Sequence, residues 1–146
     1  MTTEALWTID TNVLFYATAF DGKAERKNIV ALALLERLLR CAEPIFCGQV
    51  LCEYMAAVVH RQAMSPATAL DAVQTWAQSA RVLPAVPAAY TAAWHLSVKS
   101  KYQIWDALII AVCAEHGVRK IYSEDAGSLK APLGVAVINP FAEVAV

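Results

Sequence analysis

Five short apolar runs alternate with stretches of helical spacing along this chain, and no other feature limits its fold so tightly. The runs lie at roughly residues 6–10, 44–48, 81–83, 118–123 and 135–138. Helical patterns occupy about 11–19, 25–42, 49–63, a segment capped at Ser65, about 87–100, and 104–116. Strands alternating with helices argue for an α/β fold in which helices cover both faces of a central parallel sheet. At 146 residues the chain is read as one domain, 1–146, large enough to bury a core without disulfides or a structural metal.

Local chemistry supports these boundaries. Pro66 follows the cap Ser65 at the favoured first helical position, and Pro87 opens the fifth helix. Gly117 is the expected left-handed stop of the sixth. The polar stretch Phe20-Asp21-Gly22-Lys23 reads as a turn, and Leu32, Leu34, Leu35, Leu38 and Leu39 mark the buried side of the second helix. The last run, 135–138, is placed at the sheet edge.

Composition removes several function classes. Hydrophobic residues make up 58% and charged residues 17%, an apolar excess that points to surface covered by a partner or a second copy. No run of about 18 uncharged apolar residues exists to span a membrane. Glu4 and Asp10 interrupt any leader-like core. Cys41, Cys47, Cys52 and Cys113 lie in apolar surroundings without CxxC spacing, and read as reduced core thiols of a cytoplasmic protein. With net charge −1, no global basic field draws nucleic acid. Lys23, Arg26 and Lys27, and Lys99 with Lys101, are local candidates for phosphate contacts or solvated groups.

The carboxylates carry the functional signal. In a parallel sheet the helices run antiparallel to the strands. The end of strand one, the start of the helix after strand two, the start of the helix before strand four and the end of strand four therefore share one edge. Asp10, Glu53, Asp106 and Asp125 occupy those four places, on the side of an open sheet where ligands collect. Singly, each has a structural use. Asp10 suits an N-cap, and Glu53 shares a stripe with Gln49 and His60 that solvent could cover. Asp106 complements a helix dipole; Asp125 suits a turn, with Glu124 competing for its role. Their joint placement favours a site.

Crowded carboxylates repel, so at neutral pH they must share protons or bind a cation. A set without Cys or His points to Mg²⁺ or Mn²⁺, and such a centre suits phosphodiester hydrolysis.

Four segments then carry a resemblance: Asp10-Thr11-Asn12-Val13-Leu14, Gln49-Val50-Leu51-Cys52-Glu53-Tyr54, Trp105-Asp106-Ala107-Leu108-Ile109 and Tyr122-Ser123-Glu124-Asp125. Together with the terminal Ile138-Asn139-Pro140-Phe141, they resemble the PIN-domain nucleases, and within these the VapC-type toxins of bacterial toxin–antitoxin modules. The likeness runs from about residue 7 to 141. It implies that Asp10, Glu53, Asp106 and Asp125 are a catalytic quartet holding Mg²⁺ or Mn²⁺. Asp10 and Asp106 would be the primary ligands, Glu53 would ligate or orient water, and Asp125 would complete the site. Asn12 and Ser123 would support it through hydrogen bonds or water. The resemblance also implies an endoribonuclease acting on RNA, usually a homodimer, restrained by a cognate antitoxin. The chain departs from such relatives at Ala126-Gly127, where they carry a bulky apolar residue.

Two further readings stay open: a nuclease of similar fold acting on DNA or in RNA maturation, and an inactive PIN-like module that binds protein. His60, His95 and His116 fall off the acidic edge and read as structural. Trp76 and Trp94 are expected in core or dimer packing.

Overall fold

The computed structural model describes residues 5–18, 24–125 and 129–142. In chain order the elements are β1 (Trp7–Ile9), α1 (Thr11–Thr18), α2 (Glu25–Leu39), β2 (Ile45–Cys47), α3 (Gly48–Arg61) and α4 (Pro66–Ser79). Next come β3 (Arg81–Leu83), α5 (Pro87–Lys99), α6 (Ile104–Glu115), β4 (Lys120–Tyr122), a 3₁₀ turn at Pro132–Gly134 and β5 (Ala136–Ile138). The expected polar turn at 20–23, with Lys23, and the departure at Ala126-Gly127 lie outside the described residues.

Every ladder is parallel. β4 lies between β1 and β5, with Ile9 opposite Tyr122 and Tyr122 opposite Ile138. The one continuous sheet read from the sequence is divided, because β2 and β3 pair separately. The Thr8 hydroxyl bridges the division, donating to the Ile45 carbonyl at 2.6 Å. Each strand is only three residues long, so strand ends lie close to every residue that precedes or succeeds them.

The helix boundaries have the expected causes. The Ser65 hydroxyl accepts from the Thr68 amide at 3.2 Å ahead of Pro66. Gly117 has φ +75°, which a side chain would strain. α3 starts at Gly48, directly after β2, so residues of its first turns face the strand ends.

α6 is the central helix: Ala107 through Cys113 are all buried, as for a helix enclosed on every side. Half-buried Trp76 packs against the core on Phe46 and Tyr54. Two expectations need correction. Of the five α2 leucines, Leu34, Leu35 and Leu38 are buried, while Leu32 and Leu39 turn outward; the five span more arc than one packed face. Of the four cysteines, Cys47 and Cys113 are buried with their sulfurs 3.7 Å apart, but Cys41 is half-buried and Cys52 exposed. No helix of the described residues is long and apolar enough to cross a membrane.

Candidate metal and catalytic site

Asp10 is the first residue beyond β1, and its amide still joins the sheet, donating to the Tyr122 carbonyl at 2.9 Å. That last ladder bond fixes its backbone; the side chain is then held by two more. Oδ1 accepts from the Thr11 amide at 2.7 Å and Oδ2 from the Ser123 hydroxyl at 2.7 Å. Burial pushes the Asp10 carboxyl above its ordinary pKa; these bonds act the other way, and the charges of Glu53 and Asp125 add to the rise.

Ser123 is the matching residue beyond β4, its amide bonded to the Ile138 carbonyl at 2.9 Å. Asn12, on the first turn of α1, clamps Ser123 and the two residues after it. Its Oδ1 accepts from the Glu124 amide at 3.1 Å, and its Nδ2 donates to Asp125 Oδ2 at 3.1 Å and reaches Ser123 Oγ at 3.5 Å. The Asp125 amide donates to Ser123 Oγ at 3.1 Å. Asp125 is thereby held facing Asp10 although its residue is exposed.

Asp106 lies in the first turn of α6, half-buried, and no hydrogen bond to its carboxylate exists among the described residues. Burial raises its pKa to about 7, helped by the charges of Asp10, Asp125 and Glu53. One carboxylate oxygen from each of Asp10, Asp106 and Asp125 lies within 4.8 Å of the others. These are hard oxygen donors in an electrostatically unfavourable cluster, which fits a divalent cation of the Mg²⁺ or Mn²⁺ type.

Glu53 shares the edge but stands apart from that group. Its Oε2 accepts from the Thr11 hydroxyl at 2.8 Å and its Oε1 from Gln49 Nε2 at 2.8 Å. Gln49 also donates to the Trp105 carbonyl at 3.0 Å, tying α3 to the start of α6. All four acids line one groove of ≈ 290 Å³, together with Phe15, Tyr16, Arg61 and Glu124.

Glu124 lines the same groove but pairs with Lys27 of α2. The Lys27 ammonium also lies 5.0 Å from the Tyr16 ring centroid and 5.8 Å from that of Phe141. Lys27 is thus engaged within the protein, unlike the phosphate contact considered from sequence. Among the described residues no histidine lines the groove. His116 Nε2 lies 3.1 Å from the Pro84 carbonyl.

Thr11 and Gln49 are positioning residues that sequence reasoning missed. Gln49 shares a stripe with Glu53, four residues away on the same helix face, and the sequence leaves that stripe open to solvent or site. Thr11 had only its adjacency to Asp10 as a signal.

The family model for the PIN domain matches residues 8–132. No curated protein matches the chain. Among solved structures, Mycobacterium tuberculosis VapC20, described as a sarcin-ricin loop cleaving toxin, superposes with a TM-score of 0.63 at 19% identity, over 79% of this chain and 86% of that one. Rickettsia felis VapBC2, bound to a DNA fragment from its promoter, gives a TM-score of 0.65 at 13% identity, over 92% and 98%. At these identities the likeness establishes a shared fold.

Proposed function

The chain belongs to the PIN-domain family, and from that membership we propose that it is a metal-dependent endoribonuclease, the toxin of a type II toxin–antitoxin pair. The carrying observation is the convergence of Asp10, Asp106 and Asp125 from three separate segments to within 4.8 Å. Charge repulsion of that kind is what a divalent cation relieves. Such an ion, Mg²⁺ or Mn²⁺, supplies a Lewis acid for a phosphoryl oxygen and lowers the pKa of water.

In this reading the three aspartates hold the ion, and Ser123 and Thr11 keep Asp10 in its ligating orientation. Asn12 does the same for Asp125. Glu53, with each oxygen accepting one hydrogen bond, keeps lone pairs for the attacking water and orients it at the edge of the cluster. An RNA strand lies along the groove with its scissile phosphate over the acids.

The partners are RNA, a cognate antitoxin that restrains cleavage, and a second copy of the chain, all in the cytoplasm. Solved neighbours named as a toxin and as VapBC2 support the antitoxin. The outward stripe Tyr90, Trp94 and Val98 on α5 supports the homodimer.

The test is cleavage of a mixed single-stranded RNA pool by the purified protein with Mg²⁺ or Mn²⁺, beside a chelator control and Asp10→Asn. Cleavage that requires both metal and Asp10 is the expected result. Cutting that survives in Asp10→Asn, or none by a folded wild-type protein free of antitoxin, would overturn the assignment.

A further inference from the structure

The charged side chains described along the groove are acidic but for one, yet the strand they would receive is a polyanion. Asp10, Glu53, Asp106, Glu124 and Asp125 all face it, against one cation among the described lining residues, Arg61. Glu124 is neutralised by Lys27, the one ion pair among the described residues. Arg61 has no acidic partner there. Its guanidinium instead lies over the Phe15 ring, 4.7 Å from the centroid, and Phe15 also lines the groove.

A cation–π contact holds a guanidinium over a ring without using its N–H donors. A planar fork with free donors is the arrangement that binds phosphate bidentately. Its placement along the groove is set by helix geometry. Glu53, Ala57 and Arg61 succeed one another at steps of four on α3, all lining the groove. Eight residues at the helical rise put the Arg61 backbone about 12 Å from that of Glu53. The Arg61 backbone thus stands two helical turns beyond that of Glu53 along the same groove, where a strand seated on the acids would continue. The small Ala57 leaves the floor between them open. A helix C-terminus alone also favours a cation, but does not account for its place over a groove-lining aromatic.

We propose that Arg61, held over Phe15, is a subsite for a backbone phosphate flanking the scissile one in single-stranded RNA. This rests on the nuclease reading above and adds a binding residue to it. A cation held by the acids would offset charge at the reacting phosphate, and Arg61 would offset it further along the strand.

The experiment is fluorescence anisotropy of a labelled single-stranded RNA with full-length protein carrying Asp106→Asn, so that no cleavage intervenes, over a series of salt concentrations. Adding Arg61→Gln should weaken binding about tenfold at low salt and reduce the slope of log K against log salt by about 0.7, the value for one phosphate contact on a single strand. Arg61→Lys, which keeps the charge and most of the stem, should retain the slope. In the otherwise wild-type enzyme Arg61→Gln should raise KM with kcat nearly unchanged. An unchanged affinity and slope in Arg61→Gln overturns the subsite and leaves Arg61 to packing or a protein contact. Failure of wild-type protein to cleave, with Arg61-dependent binding intact, overturns the nuclease reading and spares the subsite.

Discussion

The Ser123 hydroxyl donates to Asp10 Oδ2 at 2.7 Å, joining the first residues beyond two adjacent parallel strands. That short bond between strand ends favours the ionised form of a buried carboxylate whose pKa burial nonetheless raises. The same Ser123 oxygen accepts from the Asp125 amide, so one atom aligns two of the clustered acids. Ser123→Ala should weaken Mn²⁺ binding about 10–100-fold, the usual effect of losing a partner behind a ligand, with the fold retained. Calorimetric titration checks this; an unchanged affinity would show that Asp10 needs no such support.

Asp106 sets stability against activity. Its carboxylate has no hydrogen bond among the described residues and faces three other acids, so ionising it costs the metal-free protein stability. Asp106→Asn removes that charge at nearly constant shape. The variant should melt a few degrees higher than wild type in chelator while losing cleavage at least a hundredfold. A lower melting temperature would mean that the carboxylate contributes a contact beyond its charge.

The metal-free protein should lose stability as pH rises. The folded-state pKa of Asp106, about 7, lies above its ordinary value of 3.8, so the folded protein binds the proton more tightly than the unfolded chain. The resulting stability is fully present below pH 3.8 and is lost as pH rises through about 7. The raised Asp10 pKa acts in the same direction. In chelator, the melting temperature should fall between pH 5 and 8; saturating Mn²⁺, which binds the ionised acids, should flatten or reverse that fall. Scanning calorimetry across that range decides it, and a flat profile in chelator would contradict the sign.

What the sequence made legible was placement along elements, and what it hid was contact between side chains. Asp10, Glu53, Asp106 and Asp125 reach one edge because parallel strands and returning helices put them there, whatever their neighbours are. The separation of Glu53 from the three aspartates depends on Thr11 and Gln49, whose bonds cross 42 residues in one case and one helical turn in the other. Glu124 and Asp125 are adjacent in sequence, and it is their partners, Lys27 on α2 for one and Asn12 on α1 for the other, that distinguish them. The divided sheet was likewise invisible, since periodicity marks a strand without naming its partner.

The Lys27–Glu124 pair yields a test of its structural use. Its side chains are 17% and 29% exposed, so the pair is partly sheltered and worth about 1 kcal/mol. It ties α2 to the segment that carries Asp125. Lys27→Met should lower the melting temperature by about 2–4 °C and slow cleavage several-fold by loosening Asp125. The salt slope of RNA binding should not change, since the lysine is spent within the fold. A reduced slope would restore Lys27 as a phosphate contact.

On α5, Tyr90, Trp94 and Val98 recur at intervals of four and stand 41%, 59% and 86% exposed. Isolated exposed apolar side chains are ordinary on any protein surface. Three on one helical stripe form a continuous patch, which soluble monomers rarely leave uncovered. A second copy covering that patch would account for the apolar excess in composition without enlarging the core. Val98→Glu should then convert a dimer to a monomer in light-scattering chromatography. Because Val98 touches little within its own chain, the unfolding of the monomer should be nearly unaltered. A wild-type protein that runs as a monomer at every concentration would remove the homodimer, and a variant that stays dimeric would move the interface to another face.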